Sequence, residues 1–125
     1  SPQYKFVDDK AVNIGKPIHN FKIGTEYASG GAGGISTVDD YIKFLEGLRT
    51  HKLLKPETLK LMTTDRLSEG QRETYTVKGT HGYGLGVRCP REDRIRIDFG
   101  WGGAAGAYLA IDETNNISLF VVEVK

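Results

Sequence analysis

The residues best placed to do chemistry lie in two glycine-rich segments, and each admits more than one reading. Gly30-Gly31-Ala32-Gly33-Gly34 precedes a helical pattern, a position where backbone N–H groups can cradle a phosphate. A Walker-type cradle ends in Gly-Lys-Ser/Thr, and Ile35-Ser36 stands there instead, so a structural turn is the expected role. Gly100-Trp101-Gly102-Gly103-Ala104-Ala105 formally fits a dinucleotide fingerprint, but that fingerprint needs a following helix, and strand-like Ala107-Tyr108-Leu109-Ala110-Ile111 comes next. Glycines around one large aromatic at a strand edge leave two readings open. Either a substrate carbonyl or neighbouring strand comes close to the backbone, or a β-bulge sits beside a packed Trp. His19, His51 and His81 are far apart, with no partner at ligand spacing, so neither metal nor cofactor is expected. Cys89, the single cysteine, lies in a strand-like run ending at Pro90 and reads as a buried, inert thiol.

The elements that would position these segments follow from periodicity. Thr37 is placed to cap a helix, with Asp40 at the third helical position to return a bond to the cap. Val38, Tyr41, Ile42, Leu45 and Leu48 then recur at helical spacing, predicting a helix over 38–49. Pro56 marks a second helix start, extended by Leu59 and Met62. Residues 63–80 are polar and read as a surface loop. Beyond residue 80 the period changes: residues 83–89, 94–99, 107–111 and 117–124 are short runs rich in β-branched and aromatic residues. Arg94-Ile95-Arg96-Ile97-Asp98-Phe99 alternates as a strand with one wet face should. Asn115-Asn116 reads as a hairpin turn. The expected fold class is α+β, helices followed by an antiparallel β-meander.

At 125 residues the chain is expected to be a single unit, with residues 1–27 an irregular lead-in. Lys and Arg total 17 against 16 Asp and Glu, a net +1 that gives no electrostatic footprint for nucleic acid. No run approaches the ~18 consecutive apolar residues of a membrane span. The amino end has no signal-peptide pattern, and the compartment stays open.

Three segments in register carry a resemblance. They are the run from Ala28-Ser29-Gly30-Gly31 through Ser36-Thr37-Val38-Asp39-Asp40-Tyr41, then Tyr83-Gly84-Leu85-Gly86-Val87, then Phe99-Gly100-Trp101-Gly102-Gly103-Ala104-Ala105-Gly106 with Ile111-Asp112. Together they resemble the β-lactamase-related serine hydrolases: class C β-lactamases, low-molecular-weight penicillin-binding proteins and β-lactamase-fold esterases. The resemblance implies a partial β-lactamase/transpeptidase-like fold and acyl transfer through an acyl-enzyme. It places the third segment on the strand opposite the nucleophile, in the position of the family's Lys-Thr-Gly or His-x-Gly box. Trp101 then takes the place of the Lys or His, as an apolar wall with an indole N–H, which suits an ester better than a carboxylate-bearing lactam. Gly103 would keep the strand open for the acyl group. Ala104 matches the residue whose backbone N–H forms half of the oxyanion hole, a donor typically worth ~3 kcal/mol.

The departures from the family pattern are equally specific. Its nucleophile lies in Ser-x-x-Lys. Ser1, Ser29, Ser36, Ser68 and Ser118 are followed at the third position by Tyr4, Ala32, Asp39, Gln71 and Val121. Of the family's Tyr-x-Asn or Tyr-x-Ser box only Tyr27-Ala28-Ser29 is a loose match, inside the glycine segment. The chain is therefore expected to be the carboxy-terminal portion of a larger β-lactamase-like domain, inactive without an amino-terminal part of the same protein. Its partner in the full protein would be a small-molecule ester or lactam. The family's closing helix would also be absent, and the uncovered apolar sheet is expected to drive self-association, strand exchange or contact with the absent part. The competing expectation is a stand-alone, non-catalytic module binding peptide or cell-wall ligand. A complete small hydrolase using another serine with His81 finds no Gly-x-Ser-x-Gly elbow to support it.

Overall fold

The computed structural model describes residues 4–13, 26, 28–31, 33–75, 81–91, 95–103 and 106–122. Two strands open the chain: β1 (Tyr4–Val7) and β2 (Lys10–Asn13) pair antiparallel. Residues 4–13 are thus a hairpin and not part of an irregular lead-in. Its turn is made by Asp8 and Asp9, both at positive φ (48° and 58°), the geometry of a tight hairpin turn whose twist matches the strands.

The helices come next. α1 (Val38–Arg49) begins where Thr37 sits in extended backbone and its hydroxyl accepts the Asp40 N–H at 3.1 Å. Asp39 and Asp40 in the first turn and Arg49 in the last oppose the helix dipole at both ends. The expected stripe holds from Tyr41 onward, while Val38, in the first turn, is exposed. α2 (Pro56–Met62) starts at its proline and buries Leu59. α3 (Glu69–Thr74) lies inside the stretch read as a loop. It buries no residue and is held by a capping box, Ser68 accepting from the Gln71 N–H and Gln71 accepting from the Ser68 N–H.

The sheet is a five-stranded antiparallel meander in the order β3 (Gly82–Tyr83), β4 (Arg88–Cys89), β5 (Phe99–Gly102), β6 (Ala107–Asp112), β7 (Ile117–Val122). With the three helices of the described residues it makes the expected α+β arrangement. The strand expected over 94–99 is displaced. Residues 96–98 are outside any strand, Arg94 lies outside the described residues, and β5 starts at Phe99. Among the described residues the alternation at 95–98 has no neighbouring strand to pair with, since β4 meets β5 at Arg88 opposite Gly100. Ile95 is accordingly almost fully exposed.

The core lies between helices and sheet. Leu45, Leu48, Leu59, Cys89, Phe99 and Ile111 are buried together, and Tyr41 stacks flat on Phe120 with ring centroids 4.4 Å apart. The β6–β7 turn is closed by Asp112, whose carboxylate accepts from the Asn115 N–H and side-chain amide, and by Asn116 at φ 57°. Arg49 at the end of α1 donates to the Asn116 side-chain oxygen at 2.9 Å, fastening the helix to the turn.

Candidate functional site

The Trp101 segment forms β5 and the start of its hairpin with β6. Phe99 enters the core, and Trp101, opposite Leu109 in register, is 42% exposed. Of the two readings of these glycines, close approach of a neighbouring strand is the one realised, and it falls on Gly100. A Cβ there would stand 2.1 Å from the Leu109 carbonyl oxygen. Gly103 has no such constraint, since an added Cβ would meet Ala107 atoms at an ordinary 3.6 Å. The Gly103 N–H donates to the Ala107 carbonyl at 2.6 Å, and its own carbonyl accepts from Gly106 at 3.0 Å. Ala104 lies outside the described residues.

Trp101 packs edge-to-face on Tyr83, with centroids 5.3 Å apart and planes at 67°. Tyr83 in turn meets Tyr75 at 5.6 Å, and Tyr75 meets His81 at 6.4 Å. Asp65, in the connection after α2, holds this row in place. Its Oδ1 accepts the Tyr83 and Leu67 N–H groups, each at 3.1 Å, and its Oδ2 accepts from Arg72 at 2.6 Å. The Tyr83 carbonyl accepts from the Arg66 N–H, and Leu85 donates to the Met62 carbonyl. Gly84 is required at this junction, because a Cβ would lie 2.0 Å from that same Met62 oxygen. Burial raises the Asp65 pKa, but the bonds from Leu67, Arg72 and Tyr83 outweigh it and hold the carboxyl below its ordinary value. His81 is pushed down, first by burial and then by the Arg88 charge.

Arg88 was not singled out from the sequence. It is 4% exposed, and its Nη2 donates to Asp98 at 2.5 Å and to the Tyr108 hydroxyl. Its guanidinium lies 5.1 Å from the Tyr108 ring centre. Since Arg88 faces Gly100 and Tyr108 faces Gly102 in register, this contact spans β5 where that strand carries no side chains. Its Nε and Nη1 are buried and find no hydrogen-bond partner among the described residues. Beside it Asp98, Tyr108, Ala110, Ile117 and Leu119 help to line an open groove of about 300 Å³.

The model of the family described as Beta-lactamase matches residues 3–123. This chain belongs to the Beta-lactamase family. Among curated proteins no match is found. In this Beta-lactamase-family chain the second and third motif segments meet in space through Tyr83 and Trp101, whereas the first leads into α1. Three serine hydroxyls have structural roles. Ser68 caps α3, Ser36 donates to the Thr37 carbonyl, and the buried Ser118 hydroxyl faces the Glu46 carboxylate. None of these three is bonded to a histidine or lysine. Burial raises the Cys89 thiol to about 11, so it is no nucleophile. Among the described residues no group of three or more His, Cys, Asp or Glu could hold a metal, and no helix is long and apolar enough to cross a membrane.

Asp65 and Arg88 are the site residues that sequence reasoning missed. Their partners Tyr83 and Tyr108 lie 18 and 20 residues away along the chain, beyond any local pattern. The one local signal was Arg88 itself, a charge set between Val87 and Cys89; Asp65, between Thr64 and Arg66, carried none.

Proposed function

We propose that residues 99–106 are the oxyanion-side strand of a serine hydrolase acting on an ester, β-lactam or peptide carbonyl through an acyl-enzyme. The nucleophile and its base then lie in a part of the protein outside these 125 residues, and the chain alone is inactive. In this reading the acyl group lies along Gly102 and Gly103 with the Trp101 indole as its wall. A serine hydroxyl attacks the carbonyl carbon, and the negative charge gathering on the carbonyl oxygen is met by a backbone N–H. The resemblance assigns that donor to the Ala104 N–H, while the Gly103 N–H is engaged with Ala107. A preorganised donor of this kind contributes ~3 kcal/mol to the transition state. Trp101 gives a carboxylate-bearing lactam no cation in the place where the family carries Lys or His, which favours esters.

The observation that carries the reading is Trp101 itself. On a short strand of one buried Phe and two glycines, the single tryptophan of a Beta-lactamase-family chain is left 42% exposed beside the glycine hairpin. The test is fluorophosphonate labelling followed by intact mass and peptide mapping. It is run on this chain and on the protein as it occurs in the cell. The expected result is no adduct on the chain, and one adduct in the cellular protein on a serine of Ser-x-x-Lys outside residues 1–125. An adduct on Ser29, Ser36, Ser68 or Ser118 would overturn the proposal. No adduct in either sample would point to a non-catalytic binding module.

A further inference from the structure

We infer that Tyr83 is a specificity-determining residue of this site: with Trp101 it forms a corner for an aromatic ring, so the preferred substrates are aryl esters. The inference rests on the reading of β5 as an active-site strand and names the substrate class that strand would select.

The row of rings has a closed end and an open one. His81, at its inner end, is 6% exposed, while Trp101, at the outer end, is 42% exposed. Successive rings meet edge-to-face or tilted, at 86°, 56° and 67°. In that arrangement the positive edge of one ring meets the negative face of the next, and a further ring can extend the row within the same 5.3–6.4 Å range of spacings. An alkyl group can cover the same surface but cannot continue the alternation of edge and face. The expected advantage of an aryl over an alkyl group is roughly two- to ten-fold in affinity.

The corner is also held in advance. Tyr83 has its N–H on Asp65 and its carbonyl on Arg66, and the turn after it is tied to Met62 through Leu85. With its backbone anchored and its ring packed between Tyr75 and Trp101, Tyr83 loses little freedom when a ligand arrives. Leu85, two residues further along, is 58% exposed and adds an apolar side chain to the same turn. Neither Arg88 nor His81 offers a carboxylate much hold. Arg88 is 4% exposed with one nitrogen on Asp98 and Tyr108 and the others buried, and burial disfavours the charged form of His81.

The sole tryptophan gives the test a single probe, its indole N–H resonance in a ¹H–¹⁵N correlation spectrum of this chain. Phenyl acetate, butyl acetate and benzoate are titrated separately. Phenyl acetate is expected to move the resonance saturably, with butyl acetate and benzoate at least two-fold weaker. Tyr83→Phe keeps the ring and is expected to bind as the parent does; Tyr83→Ala is expected to bind phenyl acetate two- to ten-fold more weakly. Tyr83→Leu, which keeps apolar volume without a ring, replaces it where the alanine variant loses spectral dispersion. No saturable shift, equal binding of butyl acetate, or undiminished binding in the variant without the ring would each overturn the inference. Saturable phenyl acetate binding with no labelled serine anywhere would keep the corner and overturn the hydrolase reading. Labelling at Ser-x-x-Lys with no aryl preference would do the reverse.

Discussion

Replacing Gly100 by alanine would place a methyl carbon 2.1 Å from the Leu109 carbonyl oxygen, 2.9 Å from its carbon and 3.0 Å from the Ala110 Cα. The closest ordinary carbon–oxygen contacts across a sheet are about 3.3 Å. The overlap exceeds an ångström, and all three atoms are backbone, so no side-chain rotation can relieve it. β5 and β6 must separate, which strains the ladder from Phe99 opposite Ile111 to Gly102 opposite Tyr108. Overpacking of this kind costs about 1–3 kcal/mol, and a backbone clash belongs at the upper end. For a domain of this size the loss corresponds to a fall in Tm of roughly 6–15 °C. Thermal unfolding followed by circular dichroism measures it, and Gly103→Ala is the control from the same segment. A Cβ at 103 meets nothing closer than 3.6 Å, so that change is expected to stay within about 0.5 kcal/mol. Equal destabilisation by the two substitutions, or a harmless Gly100→Ala, would refute the account of why this segment is glycine-rich.

Leu45 is fully buried at the helix–sheet junction, and Leu45→Ala is expected to cost about 2–5 kcal/mol, read as a lower urea midpoint at unchanged slope. Cys89, fully buried with its thiol near 11, is expected to react with a disulfide reagent only when the chain unfolds. Rapid stoichiometric reaction of the native protein at pH 8 would contradict that placement. Asp65 has a folded pKa below its unfolded value. Its contribution is therefore complete above the unfolded pKa near 4 and is lost as pH falls through the lower folded value. Asp65→Asn should flatten that acid limb of the stability curve and cost roughly 1.5–3 kcal/mol at neutral pH; a variant with the parent's acid limb would show the carboxylate to be idle.

Local signals made most of the helices legible and only part of the sheet. Thr37, Asp40 and the stripe from Tyr41 to Leu48 define α1 because cap and period both lie within one short window. α3 escaped notice because it buries nothing, although its capping box, Ser68 with Gln71, is written in the sequence. The β1–β2 hairpin was missed because Asp8 and Asp9 take left-handed backbone where a turn would ordinarily advertise itself with Asn-Gly. The alternation through Ile95 and Ile97 promised a strand, but alternation records only two faces; a strand also needs a neighbour to bond. The glycine segment was legible as a place of close approach. Which glycine is indispensable depends on the register of β5 against Leu109, and no single-strand pattern contains that.

The aromatic corner joins two differently supported halves of the molecule. Trp101 stands on β5, backed by the longest ladders of the sheet, β5 with β6 and β6 with β7. Tyr83 stands on β3, which shares only two residue pairs with β4, too few to fix a side chain by backbone pairing alone. What fixes it comes from the connection after α2: Asp65 accepts the Tyr83 N–H, and the Arg66 N–H donates to its carbonyl. Asp65, half-buried and bonded to the Tyr83 N–H, is thus the charged residue that sets the Tyr83 side of the corner. The position of the Tyr83 ring against Trp101 should consequently depend more on Asp65, which carries no apolar surface into the core, than on Leu45, which carries a great deal.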